Sequence, residues 1–281
     1  MSLGIAILGA GRWGQHLIRN FVAEPRVNIM AIADRDRERL QAIAQKQQLT
    51  DSVQLCSDWQ AALQVPGVDA VVVATPATSH YEIIQFALQQ SLHVLAEKPL
   101  TLTASESEAL THLAARRQRC LMVDHTYLFH PAVIAGQAVV QSGALGQLRY
   151  GYASRTHLGP VRYDVDAFWD LAIHDLCIFQ AWLGRLPLKV QASGQQWLQA
   201  DLADLVWANL QFPQQLPVHL HLAWLNPDKQ RRLVLVGDRG ALIFDELAAQ
   251  PLVLQAGTFE QQSHLFVPVD QHTQVIDVPQ A

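Results

Sequence analysis

The sequence predicts an α/β protein, with an N-terminal doubly wound parallel sheet and a C-terminal α+β domain built on an open, mostly antiparallel sheet. Three observations predict this fold class. Short apolar runs alternate with helical patterns over about the first 120 residues, a glycine-rich turn follows the first run, and period-2 alternation dominates the last third. Apolar strands that alternate with helices indicate a parallel sheet covered on both faces. The length of 281 residues also suggests two domains.

The N-terminal elements alternate along the chain. Strands are predicted at Gly4–Leu8, Val27–Ala33, Val68–Ala74 and Leu92–Ala96, with helices at about 12–23, 35–47, 58–64, 78–90 and 103–118. The last helix has a capping-box start, because Thr103 is followed three residues later by Glu106. A short strand at 120–124 follows. We therefore predict two domains, 1–122 and 123–281.

The C-terminal elements begin with a helix and continue as a sheet. We predict a helix from near Pro131 to about Gly143, a strand at Gln147–Thr156, a polar loop at His157–Asp166, an apolar helix at about 168–183, and strands at Ala203–Phe212, Val218–Trp224, Leu233–Val236 and Ala241–Asp245. Period-2 alternation in the later strands indicates antiparallel neighbours with one packed face.

Bulk composition excludes several classes of partner. The net charge of −5 and the pI near 6.2 leave no basic patch for nucleic acid. No apolar run approaches the ~18 residues of a membrane-spanning helix. Cys56, Cys120 and Cys177 are scattered, which fits free thiols in a reducing cytoplasm. We therefore expect a cytoplasmic protein whose partner is a small molecule, neither nucleic acid nor a membrane.

The glycine-rich turn indicates a dinucleotide site. Gly9, Gly11 and Gly14 form G-x-G-x-x-G between the first strand and a helix. In this context the first glycine makes the tight turn, the second lets the backbone approach a pyrophosphate, and the third allows close helix packing, as in a Rossmann domain. Asp34 ends the second strand, where a carboxylate accepts hydrogen bonds from the ribose and repels a 2′-phosphate. This favours NAD, although Arg35 leaves NADP open.

A lysine follows the Leu92–Ala96 strand in the sequence Glu97-Lys98-Pro99. The carboxyl edge of an open α/β sheet is where ligands bind. A partly desolvated lysine at that edge has a lowered pKa and suits proton chemistry. Taken alone, the segment favours a surface lysine beside a solvated glutamate over a site residue.

The apolar C-terminal helix carries an acid–base pair. Asp170 and His174 are spaced i, i+4 and so project from one helical face. A carboxylate beside an imidazole can orient it and raise its basicity, which suits a general acid or base. A helix-start aspartate with a core histidine is the structural alternative. A metal site that adds Asp175 and His157 is a third, but the spacing matches no metal motif, and we expect no metal.

These motifs together resemble the Gfo/Idh/MocA oxidoreductase family. The segments that match are GAGRWG at 9–14, Asp34, ATPATSH at 74–80, EKP at 97–99, SGALG at 142–146, WDLAIHD at 169–175 and LVLVGDRGALIFDE at 233–246. The resemblance implies a Rossmann domain and an α/β domain whose open sheet often makes oligomer contacts. We therefore expect a homo-oligomer formed through the C-terminal sheet.

The resemblance also implies roles for individual residues. Lys98, Asp170 and His174 are the expected catalytic residues, with His174 as proton donor or acceptor. The expected cofactor contacts are Gly9, Gly11, Arg12, Trp13, Gly14, Asp34, Arg35, Thr75, Pro76, His80 and Glu97. The expected substrate contacts are His125, Tyr127, Arg155, His157, Arg162, Tyr163 and Asp164, of which the last five fit a solvated loop equally well.

The expected reaction is hydride transfer between nicotinamide and a secondary alcohol or ketone of a sugar, nucleotide-linked sugar or cyclitol. Residues 154–176 resemble a family branch that acts at C3 of nucleotide-linked sugars, although Asp166 replaces that branch's asparagine. Three alternatives stay open: an NAD-dependent glycosidase of the same fold, a non-catalytic dinucleotide sensor, and a reductase of another carbonyl compound.

Overall fold

The chain, described by a computed structural model over residues 2–279, folds as two compact units. The first ends at Asp124 and the second begins at His125, two residues after the predicted boundary. The outer ends of the two predicted domains, Met1 and Gln280–Ala281, lie outside the described residues. The cofactor and substrate roles assigned to the two domains stay predictions.

A six-stranded sheet forms the centre of the first unit. Its strands are β1 (Leu3–Leu8), β2 (Val27–Ala33), β3 (Gln54–Cys56), β4 (Ala70–Val73), β5 (His93–Ala96) and β6 (Leu121–Val123), and its helices are α1 (Arg12–Val22), α2 (Arg37–Lys46), α3 (Trp59–Leu63), α4 (His80–Gln89) and α5 (Ala104–Arg117). The strand order is β3-β2-β1-β4-β5-β6 and every pair is parallel. This is the doubly wound order of a Rossmann sheet, so the predicted fold class is confirmed for this unit.

Burial on both faces explains why the strands read as continuous apolar runs. Ile5 and Ile7 of β1 pack into one core cluster, while Ala6 and Leu8 pack into another. Successive side chains of a strand point to opposite faces, so both faces of β1 are covered. Because all strands are parallel, the loops after β1, β2, β4 and β5 share one edge of the sheet, which is the ligand-binding edge of such folds.

The second unit carries two helices and an eight-stranded sheet. The helices are α6 (Pro131–Gln141) and α7 (Ile173–Leu183), and the strands are β7 (Leu148–Leu158), β8 (Lys189–Gln195), β9 (Leu205–Phe212), β10 (Leu216–Ala223), β11 (Leu225–Gly237), β12 (Gly240–Asp245), β13 (Leu252–Gln262) and β14 (Leu265–Val275). The order is β14-β13-β12-β11-β7-β10-β9-β8, and among the described strands of this second sheet β7 with β10 is the one parallel pair. The predicted mostly antiparallel sheet is confirmed.

One face of this sheet carries the core of the second unit. Phe179 and Trp182 of α7 are buried with the inward residues of β9 to β12, and the indole of Trp182 donates to Val133 O of α6 at 2.9 Å. Residues that point the other way, such as Trp207 and Tyr150, are exposed. The period-2 alternation read from the sequence therefore separates a packed face from an open one.

Several elements differ from the prediction. Strands β3, β8, β13 and β14 were not predicted, because β3 has only three residues, β8 and β14 are mostly exposed, and β13 has no regular alternation of buried and exposed residues. Strand β11 begins at Leu225 rather than Leu233, and β7 continues to Leu158, so His157 lies on a strand and not in the predicted loop. The predicted helix at about 168–183 begins with one π-helical turn, Phe168–Ala172.

Candidate active site

The three glycines of the turn in the first unit differ in the space around them: Gly9 and Gly14 are closely packed, and Gly11 is not. Gly9 has φ +95°, and a Cβ there would lie 2.5 Å from Ala74 O; a Cβ on Gly14 would lie 1.8 Å from Gly9 O. Both residues must be glycine for the fold itself. A Cβ on Gly11, by contrast, would meet no described atom within 4 Å. The open space at Gly11, at the N-terminus of α1, fits the close approach of a dinucleotide phosphate.

This difference predicts a variant that separates binding from folding. We expect Gly11→Ala to fold with a free energy of unfolding within about 1 kcal/mol of the wild type, because the new methyl group meets open space. We expect NADH affinity to fall at least tenfold, because the methyl group occupies the approach of the phosphate. Thermal unfolding and NADH fluorescence titration measure the two effects. An unchanged NADH affinity would contradict the assignment of Gly11.

Asp34 lies at the end of β2 and supports the glycine turn. Its carboxylate accepts hydrogen bonds from Ala10 N at 2.8 Å and Asp36 N at 2.9 Å, and it pairs with Arg39 Nη1 at 3.1 Å. The arginine that meets Asp34 is therefore Arg39, in the first turn of α2, while Arg35 is exposed. The cofactor contacts predicted for Asp34 and Arg35 stay predictions.

A cavity of about 550 Å³ adjoins the glycine turn. Its lining includes Gly11 together with the cationic side chains of Arg12, Arg19, Arg39 and Lys46. Trp13, also predicted to contact cofactor, is 55% exposed on the first turn of α1. The surroundings of the turn are thus cationic and favour an anionic ligand.

His80 joins two loops at the ligand-binding edge. The side chain is 1% exposed, with Nδ1 2.9 Å from Pro99 O and Nε2 2.9 Å from Thr75 O. It therefore fastens the loop after β4, which includes Thr75 and Pro76, to the turn that follows β5. His80 thus supports the segments that carry Thr75, Pro76 and Lys98, and the cofactor contact predicted for His80 itself stays a prediction.

Glu97 and Lys98 follow β5 at the same edge. Both are half-buried, and the backbone N–H of Lys98 donates to Glu97 Oε2 at 3.3 Å. The backbone N–H of Glu97 donates to Val73 O at the end of β4, and the backbone N–H of Asp124 donates to Ala96 O, so the end of β5 is paired with both neighbouring strands. Lys98 therefore lies directly after a strand end that is hydrogen-bonded on both sides, at the sheet edge where the EKP motif predicts it.

Asp170 lies on the π-helical turn Phe168–Ala172, which directly precedes α7 of the second unit. Its carboxylate faces Arg162 Nη1 at 3.4 Å and accepts from Trp224 Nε1 at 3.2 Å. Arg162 also forms a two-point contact with Asp164, at 2.8 and 2.6 Å. π-Helical turns inside α-helices occur frequently at functional sites. The structure thus joins three of the predicted site residues, Asp170, Arg162 and Asp164.

His174 lies two residues into α7 and is half-buried. Its ring packs on Tyr127, with ring centroids 5.0 Å apart. The next residue, Asp175, is fully buried and receives Arg155 Nε at 2.9 Å and Nη2 at 2.7 Å. Although burial opposes its charge, Arg155 has a raised pKa because the Asp175 carboxylate lies beside it. The structure thus gives Arg155, predicted to contact substrate, a buried ion pair.

The remaining predicted substrate contacts differ in exposure. Tyr163 is 80% exposed, and burial lowers the pKa of half-buried His157. His125 lies with Nδ1 3.4 Å from Cys177 Sγ. Burial raises the pKa of Cys177 to about 11, so this thiol stays protonated near neutral pH and is a poor nucleophile.

Some site residues were missed from the sequence. Four further residues contact predicted site residues, and no motif assigns any of them a role, although Glu246 ends the matching segment 233–246: Arg39, Trp224, Arg231 and Glu246. They approach through sheet pairing and helix packing, which local patterns do not encode.

Within residues 2–279, no group of three or more histidine, cysteine or acidic residues could hold a metal ion. No helix in that range is long and apolar enough to cross a membrane.

Two family models match the chain. Residues 3–125 match a model described as an oxidoreductase family with an NAD-binding Rossmann fold, and residues 134–243 match the GFO/IDH/MocA C-terminal domain. Together the two models match most of the chain.

Individual relatives are sugar-nucleotide oxidoreductases by name. UDP-N-acetylglucosamine 3-dehydrogenase of Acidithiobacillus ferrooxidans is 37% identical over 142 residues, covering 50% of this chain and 44% of the relative. dTDP-3,4-didehydro-2,6-dideoxy-alpha-D-glucose 3-reductase of Streptomyces violaceoruber is 30% identical over 178 residues, covering 60% of this chain and 51% of the relative. The match thus spans about half the length of these curated relatives.

Solved structures agree with the fold. A crystal structure of UDP-N-acetylglucosamine 3-dehydrogenase from Acidithiobacillus ferrooxidans superposes with a TM-score of 0.78 at 26% identity, covering 97% of this chain and 84% of that chain. A crystal structure from Magnetospirillum magnetotacticum MS-1 reaches a TM-score of 0.82 at 28% identity, covering 100% of this chain and 88% of that chain. The two-domain architecture is therefore shared with these proteins.

Proposed function

Because the chain belongs to the Gfo/Idh/MocA family of NAD-binding oxidoreductases, we propose that it transfers a hydride between NAD(P) and a secondary alcohol or ketone of a nucleotide-linked sugar. The observation that carries the proposal is half-buried His174, packed on Tyr127 in a helix whose first turn carries Asp170. The first unit supplies the dinucleotide cradle and the second unit supplies the acid–base group.

The residues of the first unit fit a nicotinamide dinucleotide. The space beside Gly11 and the N–H groups at the start of α1 would take the pyrophosphate, and the Asp34 carboxylate would take the ribose. When bound, the nicotinamide supplies the position that accepts or donates the hydride. Asp34 favours NAD by charge, while the cations around the turn keep NADP as a second cofactor.

In the proposed reaction, side chains of this protein accept and return the proton of the substrate hydroxyl. Oxidation of an alcohol requires loss of the hydroxyl proton as the hydride leaves, and reduction requires its return. His174 exchanges this proton, and the Asp170 carboxylate assists it. Lys98 polarises the substrate oxygen with its ammonium group. Acid–base assistance of this kind contributes roughly 10²- to 10⁴-fold to a rate.

The substrate class rests on the relatives and on the polar loop. Both curated relatives described above are named for reactions at position 3 of a nucleotide-linked sugar. Tyr163 precedes α7 on the polar segment and offers an exposed phenol, which suits hydrogen bonds to a sugar, while Asp164 and Asp170 hold the neighbouring Arg162. A nucleotide-linked sugar is therefore the substrate class that we test first, with cyclitols second.

The test is a substrate panel with NAD and NADP as cofactors. We expect UDP-linked or dTDP-linked sugars to give time-dependent reduction of the dinucleotide, measured as absorbance of NADH or NADPH. Release of free sugar without net NADH would instead indicate the glycosidase reaction. Binding of NADH without turnover of any nucleotide sugar or cyclitol would indicate a dinucleotide sensor. Either result would contradict the proposed reaction.

The open face of the second unit's sheet supports a homo-oligomer. Trp207 of β9 is 53% exposed and stacks on His221 of β10 with ring centroids 4.1 Å apart. Exposed aromatic residues are enriched at protein interfaces. We expect light scattering to give a mass above that of one chain, and Trp207→Glu to shift the mass to the monomer, whereas Trp197→Glu outside β9 does not. A monomeric wild type would contradict the proposal.

The cysteines support a location in the cytoplasm. Cys56, Cys120 and Cys177 are free thiols in the structure, as expected in a reducing compartment. Fractionation of expressing cells, followed by immunodetection of the chain, tests the location. Recovery in a membrane or secreted fraction would contradict it.

A further inference from the structure

Tyr127 connects the acid–base helix to the sheet of the second unit. It lies on the short helical turn Thr126–Phe129, and its ring packs against the imidazole of His174 with centroids 5.0 Å apart. The side chain is mostly buried, so its ring forms part of the wall that limits the orientation of His174. Any group that fixes the Tyr127 ring therefore also fixes one side of the imidazole.

A buried ion pair holds Tyr127 from the side of β7. The Arg155 guanidinium lies over the ring, 4.6 Å from its centroid, and Nη1 donates to the Tyr127 hydroxyl at 2.8 Å. Arg155 is in turn held by Asp175, and both side chains are almost fully buried. Asp175 follows His174 directly on α7. The helix that carries the imidazole is thus tied to the phenol through two side chains.

A second ion pair holds the hydroxyl from the far part of the sheet. Glu246, directly after β12, accepts a hydrogen bond from the Tyr127 hydroxyl through Oε2. Its other oxygen receives Arg231 Nη1 at 2.8 Å, and its backbone N–H donates to Arg231 O at 3.1 Å. Glu246 is therefore fixed through both its side chain and its backbone. Its distance of 119 positions from Tyr127 in sequence explains why local motifs do not reveal the contact.

The hydroxyl of Tyr127 is fully engaged by these two pairs. A phenol donates one hydrogen bond and accepts others. Here the donated bond goes to Glu246, and an accepted bond comes from Arg155. Burial raises the pKa of Tyr127, so the group stays a neutral phenol near neutral pH. Tyr127 is consequently suited to hold a neighbour in place and unsuited to carry a proton in the reaction.

We infer that Glu246 is a positioning residue, which sets the orientation of the His174 imidazole through Tyr127. Arg231 holds Glu246, Arg155 holds Tyr127, and Asp175 holds Arg155, so that two ion pairs on different elements fix one phenol. The inference rests on the proposed function only in giving His174 its role; the positioning itself is a property of the second unit. Glu246 is the last residue of the matching segment 233–246, and nothing in that segment assigned it a role.

The experiment reads His174 directly. Side-chain ¹⁵N resonances of His174 are recorded in the full-length labelled protein and assigned by their loss in His174→Asn. We expect Glu246→Ala and Tyr127→Phe to displace these resonances in the same direction, because both remove the same hydrogen bond. The double variant should displace them no further than either single change. Glu246→Gln keeps an oxygen that accepts from the hydroxyl, so it should stay closer to the wild type.

A neighbouring carboxylate provides the matched control. Asp245, the last residue of β12, pairs at 3.9 Å with Arg232 and not with Tyr127. Asp245→Ala should leave the His174 resonances in place. Unchanged His174 resonances in folded Glu246→Ala or Tyr127→Phe protein would overturn the inference, as would an equal displacement in Asp245→Ala. If Glu246→Ala does not fold, Tyr127→Phe decides the question.

The same labelled samples test the proposed function and the positioning role of Glu246 independently. NADH titration of the labelled wild type tests the dinucleotide site of the first unit. Failure to bind NADH would contradict the proposed function and leave the positioning role of Glu246 intact. Normal NADH binding together with unchanged His174 resonances in the Tyr127→Phe variant would contradict the positioning role of Glu246 and leave the proposed function intact.

Discussion

His174→Asn is expected to lower turnover by roughly 10²- to 10⁴-fold while leaving NADH affinity within about twofold of the wild type. Asparagine keeps a polar side chain of similar reach but cannot exchange a proton near neutral pH. The proposed dinucleotide contacts lie in the first unit, at the glycine turn and Asp34, so the change in α7 should spare them. Steady-state kinetics with the best nucleotide sugar and fluorescence titration with NADH measure the two effects.

The control for this change is His272→Asn on the exposed edge strand β14. It should keep both turnover and NADH affinity, which shows that loss of a histidine is harmless elsewhere. A His174→Asn variant that retains more than about a tenth of wild-type turnover would contradict the role of His174 as the acid–base group.

Lys98→Met is expected to have a comparable effect through a different step. Methionine preserves the apolar stem but removes the ammonium group that would polarise the substrate oxygen. Loss of one such charged donor at a reacting oxygen costs roughly 10²- to 10³-fold in turnover. The turn that carries Lys98 is held by β5 and by His80, so the variant should fold normally. Thermal unfolding, NADH titration and turnover together separate these outcomes.

Lys189→Met is the matched control, because Lys189 lies on the exposed edge strand β8. The same substitution there should change neither turnover nor stability. If Lys98→Met and Lys189→Met behave alike in turnover, the ammonium group of Lys98 has no part in the reaction.

The elements of the first unit could be predicted well because short, contiguous sequence patterns determine most of them. Strands such as β4, with all four residues buried, read as apolar runs, and the glycine turn needs φ values and clearances that only glycine provides. Thr103 caps α5 as predicted, accepting from Glu106 N at 3.2 Å. Short β3 was missed because three residues carry too little pattern.

The second unit could be predicted only in part. Its outer strands β8, β13 and β14 are held by backbone pairing with neighbours, and their exposed side chains alternate too weakly to identify them. The π-helical turn at Phe168–Ala172 was also missed, because its composition is that of an ordinary apolar helix.

The candidate site divides in the same way. Lys98, Asp170 and His174 could be proposed because they follow short motifs, and the catalytic roles given to them stay predictions. The burial of Arg155 against Asp175 and the contact of Tyr127 with Glu246 depend on residues 20 and 119 positions apart. Long-range contacts of this kind require the fold before they can be seen.

The most direct test of the proposed reaction follows the hydrogen atom. A nucleotide-linked sugar deuterated at every ring carbon that bears a secondary hydroxyl is incubated with NAD and the protein, and the reduced cofactor is analysed by mass spectrometry. Direct hydride transfer predicts one deuterium in each reduced nicotinamide. Reduced cofactor without deuterium, or release of free sugar with no reduced cofactor, would contradict the proposed oxidoreductase reaction.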